Sequence, residues 1–159
     1  MHVLVWIADA TWTGCVDAAR TWAPADAEFT LLHVPGTDEP AAAAGAFSGL
    51  LGRGHPERDP GRRVADLADE HADDLLRAAA DRLGHAATAV VRHGRVEREV
   101  VAAAADADVL VLARDGDRTR LGPKSLGPAT RFVVDHAPCP VLLVWPEPAP
   151  DTGTLPPVP

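Results

Sequence analysis

Apolar residues gather in five short runs along this chain, and longer stretches with helical spacing separate the runs. Mostly apolar runs of about four to eight residues, bounded by charged or turn-forming residues, are typical of strands covered on both faces. The predicted strands are residues 2–8, 28–34, 87–92, 109–113 and 141–145.

Four helices are predicted between these strands. Apolar side chains recur in them at i, i+3 and i+4, and capping or helix-breaking residues stand at their ends. Strands that alternate with helices form a parallel sheet, so the predicted fold class is α/β, a five-stranded parallel sheet sandwiched between helices. The first helix lies between a cap at Thr11 or Thr13 and Pro24, and the others cover residues 64–83, 96–105 and 128–137.

Two segments do not fit this alternation. Residues 35–63 are rich in Gly, Pro and Ala, and we expect a long, partly mobile loop with a short helical piece around residues 41–51. Residues 147–159 are rich in proline and have no apolar period, so they cannot bury enough surface to offset the entropy of ordering. The predicted organisation is one domain, residues 1–146, followed by a proline-rich, disordered tail, residues 147–159.

Charge and cysteine content exclude several functions. The formal net charge is −8, which argues against nucleic acid or an anionic membrane as the main partner. No apolar run approaches the roughly 18 residues that span a bilayer, and the chain begins with a strand-like run, so we expect a cytoplasmic protein. Cys15 and Cys139 stand outside any CxxC pattern and are expected to be reduced, while the histidines lack metal-ligand spacing, so no metal site is predicted.

The candidate chemistry lies in residues 114–127, between a predicted strand and a predicted helix, where α/β proteins hold phosphates. This loop carries four basic side chains against two carboxylates, in an otherwise acidic chain. One interpretation is charge-assisted binding of phosphate, and the other is a solvated surface loop. The basic residues are Arg114, Arg118, Arg120 and Lys124.

The last predicted strand is entirely apolar and is expected at an edge of the sheet. An exposed hydrophobic edge strand promotes association unless another strand pairs with it. We therefore expect a homodimer that forms through this edge, whose residues are Val141, Leu142, Leu143, Val144 and Trp145.

Three segments together resemble the universal stress protein family. They are FTLLHV at residues 29–34, VVRHGRVEREVVAAAADADVLVLA at residues 90–113, and HAPCPVLLVWP at residues 136–146. The resemblance covers roughly residues 2–146. It implies a five-stranded, Rossmann-like fold of the adenine-nucleotide alpha hydrolase type, usually a dimer, and in some members ATP binding.

The ATP-binding members that this chain resembles carry a phosphate loop of the form G-x2-G-x9-G-[ST]. Here the first glycine is alanine, the second spacer has ten residues instead of nine, and a proline without N–H or hydroxyl replaces the Ser or Thr. A threonine follows where such members often have a second hydroxyl. The matching positions are Ala113, Gly116, Gly127 and Pro128, and the N–H groups of Ala129 and Thr130 remain available.

The resemblance implies four further nucleotide contacts. Asp9 matches the acidic residue that contacts the ribose, and it could hold Mg²⁺ together with a triphosphate. Thr11 stands, after Ala10, where the family has Gly-Ser, while Ile7 and Val34 match positions that line the adenine pocket. An alternative interpretation of Asp9 is a helix-capping carboxylate.

No motif places a nucleophile, an acid–base pair or a second carboxylate beside Asp9, so no catalytic residue is predicted. His33, at a strand end, is expected to be structural. His71 falls on the apolar stripe of its helix and is expected to be packed. His136 lies at a helix end, where the helix dipole favours a cation.

Three functions stay open at this point. The first is a dimeric, non-enzymatic stress-response protein with a degenerate nucleotide site, which acts mainly by interaction with a protein partner. The second is an ATP-binding sensor or slow ATPase that uses residues 113–130. The third is an adenylyl-transferring enzyme, and the absence of an HxGH-like or SGGxDS-like motif counts against it.

Overall fold

The computed structural model describes residues 1–36 and 60–157. Within them, strands and helices alternate in the predicted order. The elements are β1 (His2–Trp6), α1 (Trp12–Trp22), β2 (Glu28–His33), α2 (Pro60–Leu83), β3 (Ala87–Val91), α3 (Val96–Ala103), β4 (Val109–Ala113), α4 (Pro128–His136) and β5 (Val141–Val144).

The five strands form one sheet in the order β3-β2-β1-β4-β5, and every pair is parallel. The predicted fold class is confirmed. β1 lies at the centre, where Val3 is in register with Phe29 of β2 and with Val109 of β4. β5 lies at one edge, as expected, and β3 lies at the other.

Side chains of β1 alternate between two hydrophobic cores, one on each face of the sheet. Val3 and Val5 pack towards α1 and α2, whereas Leu4 and Trp6 pack towards α3 and α4. Full burial of one such aliphatic side chain stabilises the fold by about 1.5–3 kcal/mol. Buried side chains therefore cover both faces of the sheet.

A bidentate ion pair joins the two helices on the first face. Arg82 of α2 donates from Nε and Nη2 to the two carboxylate oxygens of Asp17 in α1, at 2.9 and 2.7 Å. These hydrogen bonds hold the pKa of Asp17 below its usual range. α2 then ends at Gly84, whose φ of +68° suits glycine at a helix C-terminus.

The structure corrects the predicted start of α2. The helix begins at Pro60, so residues 60–63 are helical although they were assigned to the long loop. The other residues of that loop from 37 to 59, including the helical piece expected around 41–51, lie outside the described residues.

The interpretation of His71 as a packed histidine is wrong. Its side chain is 60% exposed, although Leu75, Ala79 and Leu83, further along the same predicted stripe, are buried. Leu67, at the same predicted stripe, is 64% exposed. The buried residues are Ala72, Leu75, Leu76, Ala79 and Leu83.

His33 has the structural role that was expected, whereas the role of His136 as a cation at the helix end stays a prediction. His33 is buried, with Nδ1 2.7 Å from the carbonyl oxygen of Ile7. His136, in the last turn of α4, has Nδ1 2.8 Å from the carbonyl oxygen of Phe132 and stacks on that ring. Both imidazoles therefore fix local backbone structure.

Residues 147–157 lie after β5 and make two contacts with the loop that follows β4. Arg118 Nε is 3.2 Å from Glu147 Oε1, and the Leu121 N–H donates to Thr154 Oγ1 at 3.0 Å. Residues Thr152–Thr154 form one 3₁₀ turn. The division of the chain at residue 146 stays a prediction.

Both cysteines are free thiols, as expected. Cys15 is buried in α1, and burial raises its pKa to about 12, whereas Cys139 is half-buried. Across residues 1–36 and 60–157, no helix is long and apolar enough to cross a membrane. In the same part of the chain, no group of three His, Cys, Asp or Glu side chains could hold a metal ion.

Candidate functional site

The carboxyl ends of β1 and β4 lie side by side, because the two strands are parallel and paired. The loops that follow them leave from the same edge of the sheet, which is where α/β folds bind ligands. A crevice of about 10 Å³ lies between the loops, with room for about one water molecule. Its lining residues are Trp6, Ala8, Thr11, Ala113, Asp115 and Thr130.

Two threonine side chains give this crevice polar walls. Thr11, just before α1, is 3% exposed, and Thr130, in the first turn of α4, is 1% exposed. Neither hydroxyl has a hydrogen-bond partner among the residues that the structure describes. In the described part of the chain, Arg114 Nε is the buried side-chain atom without a partner, so both hydroxyl oxygens keep some exposure and can bond to water or to a polar ligand.

The loop after β4, residues 114–127, folds back on itself. The Gly116 N–H donates to the Ser125 carbonyl at 2.9 Å, and the Asp117 N–H donates to the Lys124 carbonyl at 2.8 Å. The carboxylate of Asp117 also accepts from the N–H and the hydroxyl of Thr119, at 3.0 and 2.6 Å. The N–H groups of Gly116 and Asp117 are therefore already bonded within the loop.

Gly116 is required for a different reason from the one its motif position implies. A Cβ at this residue would lie 2.4 Å from the Lys124 carbonyl oxygen and 2.9 Å from the Ser125 carbonyl carbon. Those are backbone atoms, which cannot move aside without opening the loop. In this chain, the glycine permits close contact between two backbone segments.

A carboxylate stands at the junction between this loop and α4. Asp115 Oδ1 accepts a hydrogen bond from the Gly127 N–H at 2.7 Å, and Gly127 is the N-cap residue of α4. Helix N-termini favour anions because their N–H groups are unpaired and their dipole is positive. Asp115 therefore occupies, from within the chain, a position suited to a bound phosphate.

The four basic residues of the loop do not line the crevice. Arg114 donates from Nη1 to Ser125 Oγ at 2.5 Å. Its guanidinium carbon lies 4.8 Å from the centroid of the Trp145 ring. Its Nε is buried and has no partner among the described residues. Arg118 pairs with Glu147. Arg120 and Lys124 are exposed, and their charges contribute to a lowered pKa of Asp117, whose main cause is its hydrogen bond with Thr119.

Asp9 lies outside the crevice lining. Its Oδ1 contacts Nε2 of His71, and both side chains are 60% exposed. The pair joins the loop after β1 to α2. A role of Asp9 in contacting a ribose stays a prediction.

The two residues expected to line an adenine pocket lie in different cores. Ile7 is fully buried towards α1 and α2, whereas Val34 is buried in the core towards α3 and α4. Ala129 packs against that second core from the first turn of α4. The structure does not place Ile7, Val34 or Ala129 at the crevice.

Three of the predicted site residues meet at the crevice, namely Thr11, Ala113 and Thr130. Sequence reasoning missed Trp6, Ala8 and Asp115. Trp6 and Ala8 flank the matched Ile7, so their place at the end of β1 was a usable signal. From the sequence, Asp115 was predicted only to offset part of the positive charge of the loop.

Among the described residues, the crevice is small, and three backbone donors of the adjoining loop are already bonded. The crevice holds about 10 Å³, and the N–H groups of Gly116, Asp117 and Gly127 are bonded within the chain. Pro128 has no N–H, so the first turn of α4 offers those of Ala129 and Thr130.

Comparison with solved structures finds several with the same fold. Hypothetical protein MJ0577 is 20% identical with a TM-score of 0.69, over 93% of this chain and 97% of its own. A universal stress protein in complex with cAMP is 17% identical with a TM-score of 0.59, over 92% and 98% of the two chains. An Arabidopsis thaliana universal stress protein family protein with AMP bound is 20% identical with a TM-score of 0.51, over 98% and 95%.

A search of curated protein sequences finds no match. The sequence model of the Universal stress protein family, in contrast, matches residues 16–144, which is most of the chain and spans α1 to β5. Together with the fold, this match settles the family. The chain belongs to the universal stress protein family.

Proposed function

We propose that this protein is a stress-response protein whose nucleotide site is closed by its own loop, and that it acts by interaction with other proteins instead of by nucleotide turnover. The observation that carries the proposal is the hydrogen bond from the Gly127 N–H to Asp115 at 2.7 Å. It places a fixed negative charge at the helix end where a phosphate would bind.

Two further observations support the closed site. The paired backbone of the loop satisfies the N–H groups of Gly116 and Asp117. The basic side chains of Arg114 and Arg118 are engaged with Trp145, Ser125 and Glu147. A triphosphate that used the N–H groups of Gly116, Asp117 or Gly127 would therefore have to break internal contacts.

The experiment is a search for bound nucleotide followed by titration. Freshly purified protein is denatured and the supernatant is assayed for nucleotide, and AMP, cAMP and ATP with Mg²⁺ are then titrated into native protein by calorimetry. We expect no released nucleotide and no binding heat up to millimolar ligand. Tight binding of any of the three would overturn the proposal of a closed site.

A second candidate function, a nucleotide sensor, is favoured by one observation. The hydroxyls of Thr11 and Thr130 face the crevice without partners in the described part of the chain, and two of the similar structures hold cAMP or AMP. If calorimetry detects binding, Asp9→Ala and Thr130→Val identify the site. In the sensor, both variants weaken binding while the protein stays folded.

We propose further that the protein is a homodimer through β5. All four residues of this edge strand are half-buried and apolar, and its outer backbone groups face no strand among the described residues. Sedimentation velocity of Leu143→Glu should show a shift towards monomer. Thr88→Glu, on the exposed part of the opposite edge strand, is the matched control and should leave the sedimentation coefficient unchanged.

A further inference from the structure

We propose that the Asp115 carboxylate is a built-in competitor for phosphate, so that it excludes phosphate-bearing ligands from the crevice by an autoinhibitory contact. The proposal rests on the closed site proposed above, and it names the group that closes it. The ligands that Asp115 excludes are inorganic phosphate and nucleoside monophosphates.

The geometry of the contact supports a competitive role. Asp115 Oδ1 lies 2.7 Å from the Gly127 nitrogen, and a Cβ at Gly127 would lie 2.9 Å from the same oxygen. The carboxylate therefore fills the space beside the N-cap of α4. A phosphate oxygen that approached Gly127 would meet both an occupied donor and a like charge.

The groups around this contact are suited to a ligand. Thr130, 1% exposed, lines the crevice beside Asp115, and its hydroxyl has no partner in the part of the chain that the structure describes. Thr11, 3% exposed, faces the same space from the β1 side. Hydroxyls and helix N–H groups are the usual neutral donors to phosphate, so the carboxylate is the group that opposes an anion among the lining residues that the structure describes.

Two substitutions separate the charge of Asp115 from its volume. Asp115→Asn removes the charge but leaves an amide oxygen that can still accept from Gly127, whereas Asp115→Ala removes both. Asp117→Asn is the matched control, because it makes the same change in net charge two residues away. The Asp117 carboxylate bonds to Thr119 and does not contact Gly127.

The measurement is a series of ¹H–¹⁵N spectra during titration with inorganic phosphate, with AMP and with uncharged adenosine. The reporters are the amide signals of Gly127, Ala129 and Thr130. We expect Asp115→Ala to bind phosphate and AMP about tenfold or more tightly than wild type, as removal of a like charge at close range predicts. Asp115→Asn should bind with a smaller gain, adenosine should show little change, and Asp117→Asn should match wild type.

The outcomes separate this inference from the proposed function. The inference depends on the ratio of affinities between the Asp115 variants and wild type, whereas the closed-site function depends on absolute binding by wild type. Equal phosphate affinity in wild type, Asp115→Ala and Asp115→Asn overturns the inference, whatever the wild type binds. An equal gain in Asp117→Asn also overturns it, because the effect would then come from net charge. If Asp115→Ala does not fold, the phosphate affinity of Asp115→Asn relative to wild type decides whether the inference holds.

Discussion

The loops that follow β1 and β4 leave the same edge of the sheet, yet they use their polar groups in opposite ways. The short loop after β1 leaves the Thr11 hydroxyl at the crevice and, among the described residues, pairs Asp9 with an exposed histidine. The long loop after β4 bonds its own N–H groups and carboxylates. Both loops bond some of their own backbone, since the Thr11 N–H donates to the Ala8 carbonyl at 3.0 Å, but the longer loop also bonds the carboxylates of Asp115 and Asp117 within itself.

The largest effect on stability is expected when a side chain at Gly116 opens the long loop. Gly116→Ala should cost about 1–3 kcal/mol of unfolding free energy, since a Cβ would lie 2.4 Å from the Lys124 carbonyl oxygen. Urea denaturation followed by circular dichroism measures the loss. Gly36→Ala, in the segment after β2, is the control, because a Cβ there meets no atom of the described residues within 4 Å. Equal midpoints for the two variants would contradict the close backbone contact.

A smaller effect is expected when the loop loses its buried hydroxyl. Ser125 is fully buried, and its Oγ accepts from Arg114 and donates to the Gly122 carbonyl at 2.7 Å. Ser125→Ala should lower the unfolding free energy by about 1 kcal/mol, because a second guanidinium nitrogen of Arg114 is left without a partner. Thermal and urea denaturation report the change. Thr119→Ala removes an exposed hydroxyl from the same loop and should stay within about 0.5 kcal/mol of wild type.

Substitutions in the loop after β1 should change the free energy of unfolding far less. The contact between Asp9 and His71 joins two side chains that are each 60% exposed, so solvent screens it. A double-mutant cycle with Asp9→Asn and His71→Gln should give a coupling free energy below about 0.5 kcal/mol. A coupling comparable to the Ser125→Ala loss would show that the two loops are equally ordered, and the comparison would fail.

The smallest expected effect is a change in the pKa of Asp117. Hydrogen bonds from the hydroxyl and N–H of Thr119 hold the pKa of Asp117 below its usual value of 3.8. The folded protein thus favours the carboxylate, and this contribution to stability is present above pH 3.8 and is lost as pH falls through the lowered pKa. NMR titration of Thr119→Val should show the pKa of Asp117 rising towards 3.8. Thr119→Ser keeps the hydroxyl and should keep the low value.

Much of the fold could be predicted from local pattern alone. β4 occupies residues Val109–Ala113, as its uninterrupted apolar run indicates, and Pro128 begins α4 as a proline at the first helical position should. The start of α2 was missed because Pro60 and the residues after it are polar or small and carry no apolar period. His71 was misplaced because helical spacing predicts which face of a helix is buried, but not where along the helix burial begins. Leu75 and Leu83 of the same stripe are buried, whereas Leu67 is exposed.

The site was less predictable, and the reason is physical. The motif positions of Gly116 and Gly127 could be found by spacing, but spacing does not reveal whether their N–H groups are free. The partner of Gly127 is the side chain of Asp115, twelve residues earlier, and that contact exists only because the intervening loop reverses direction. A phosphate loop and a self-bonded loop can therefore share the same glycines.

Two tryptophans lie close enough to the loop for their fluorescence to report its opening. Trp6 lines the crevice, and Trp145 lies under the guanidinium of Arg114. Opening of the loop would change the surroundings of both indole rings, so intrinsic fluorescence follows the loop without an attached dye. Since the chain has four tryptophans, Trp22→Phe, at a side chain 74% exposed, removes background emission and makes that signal easier to read.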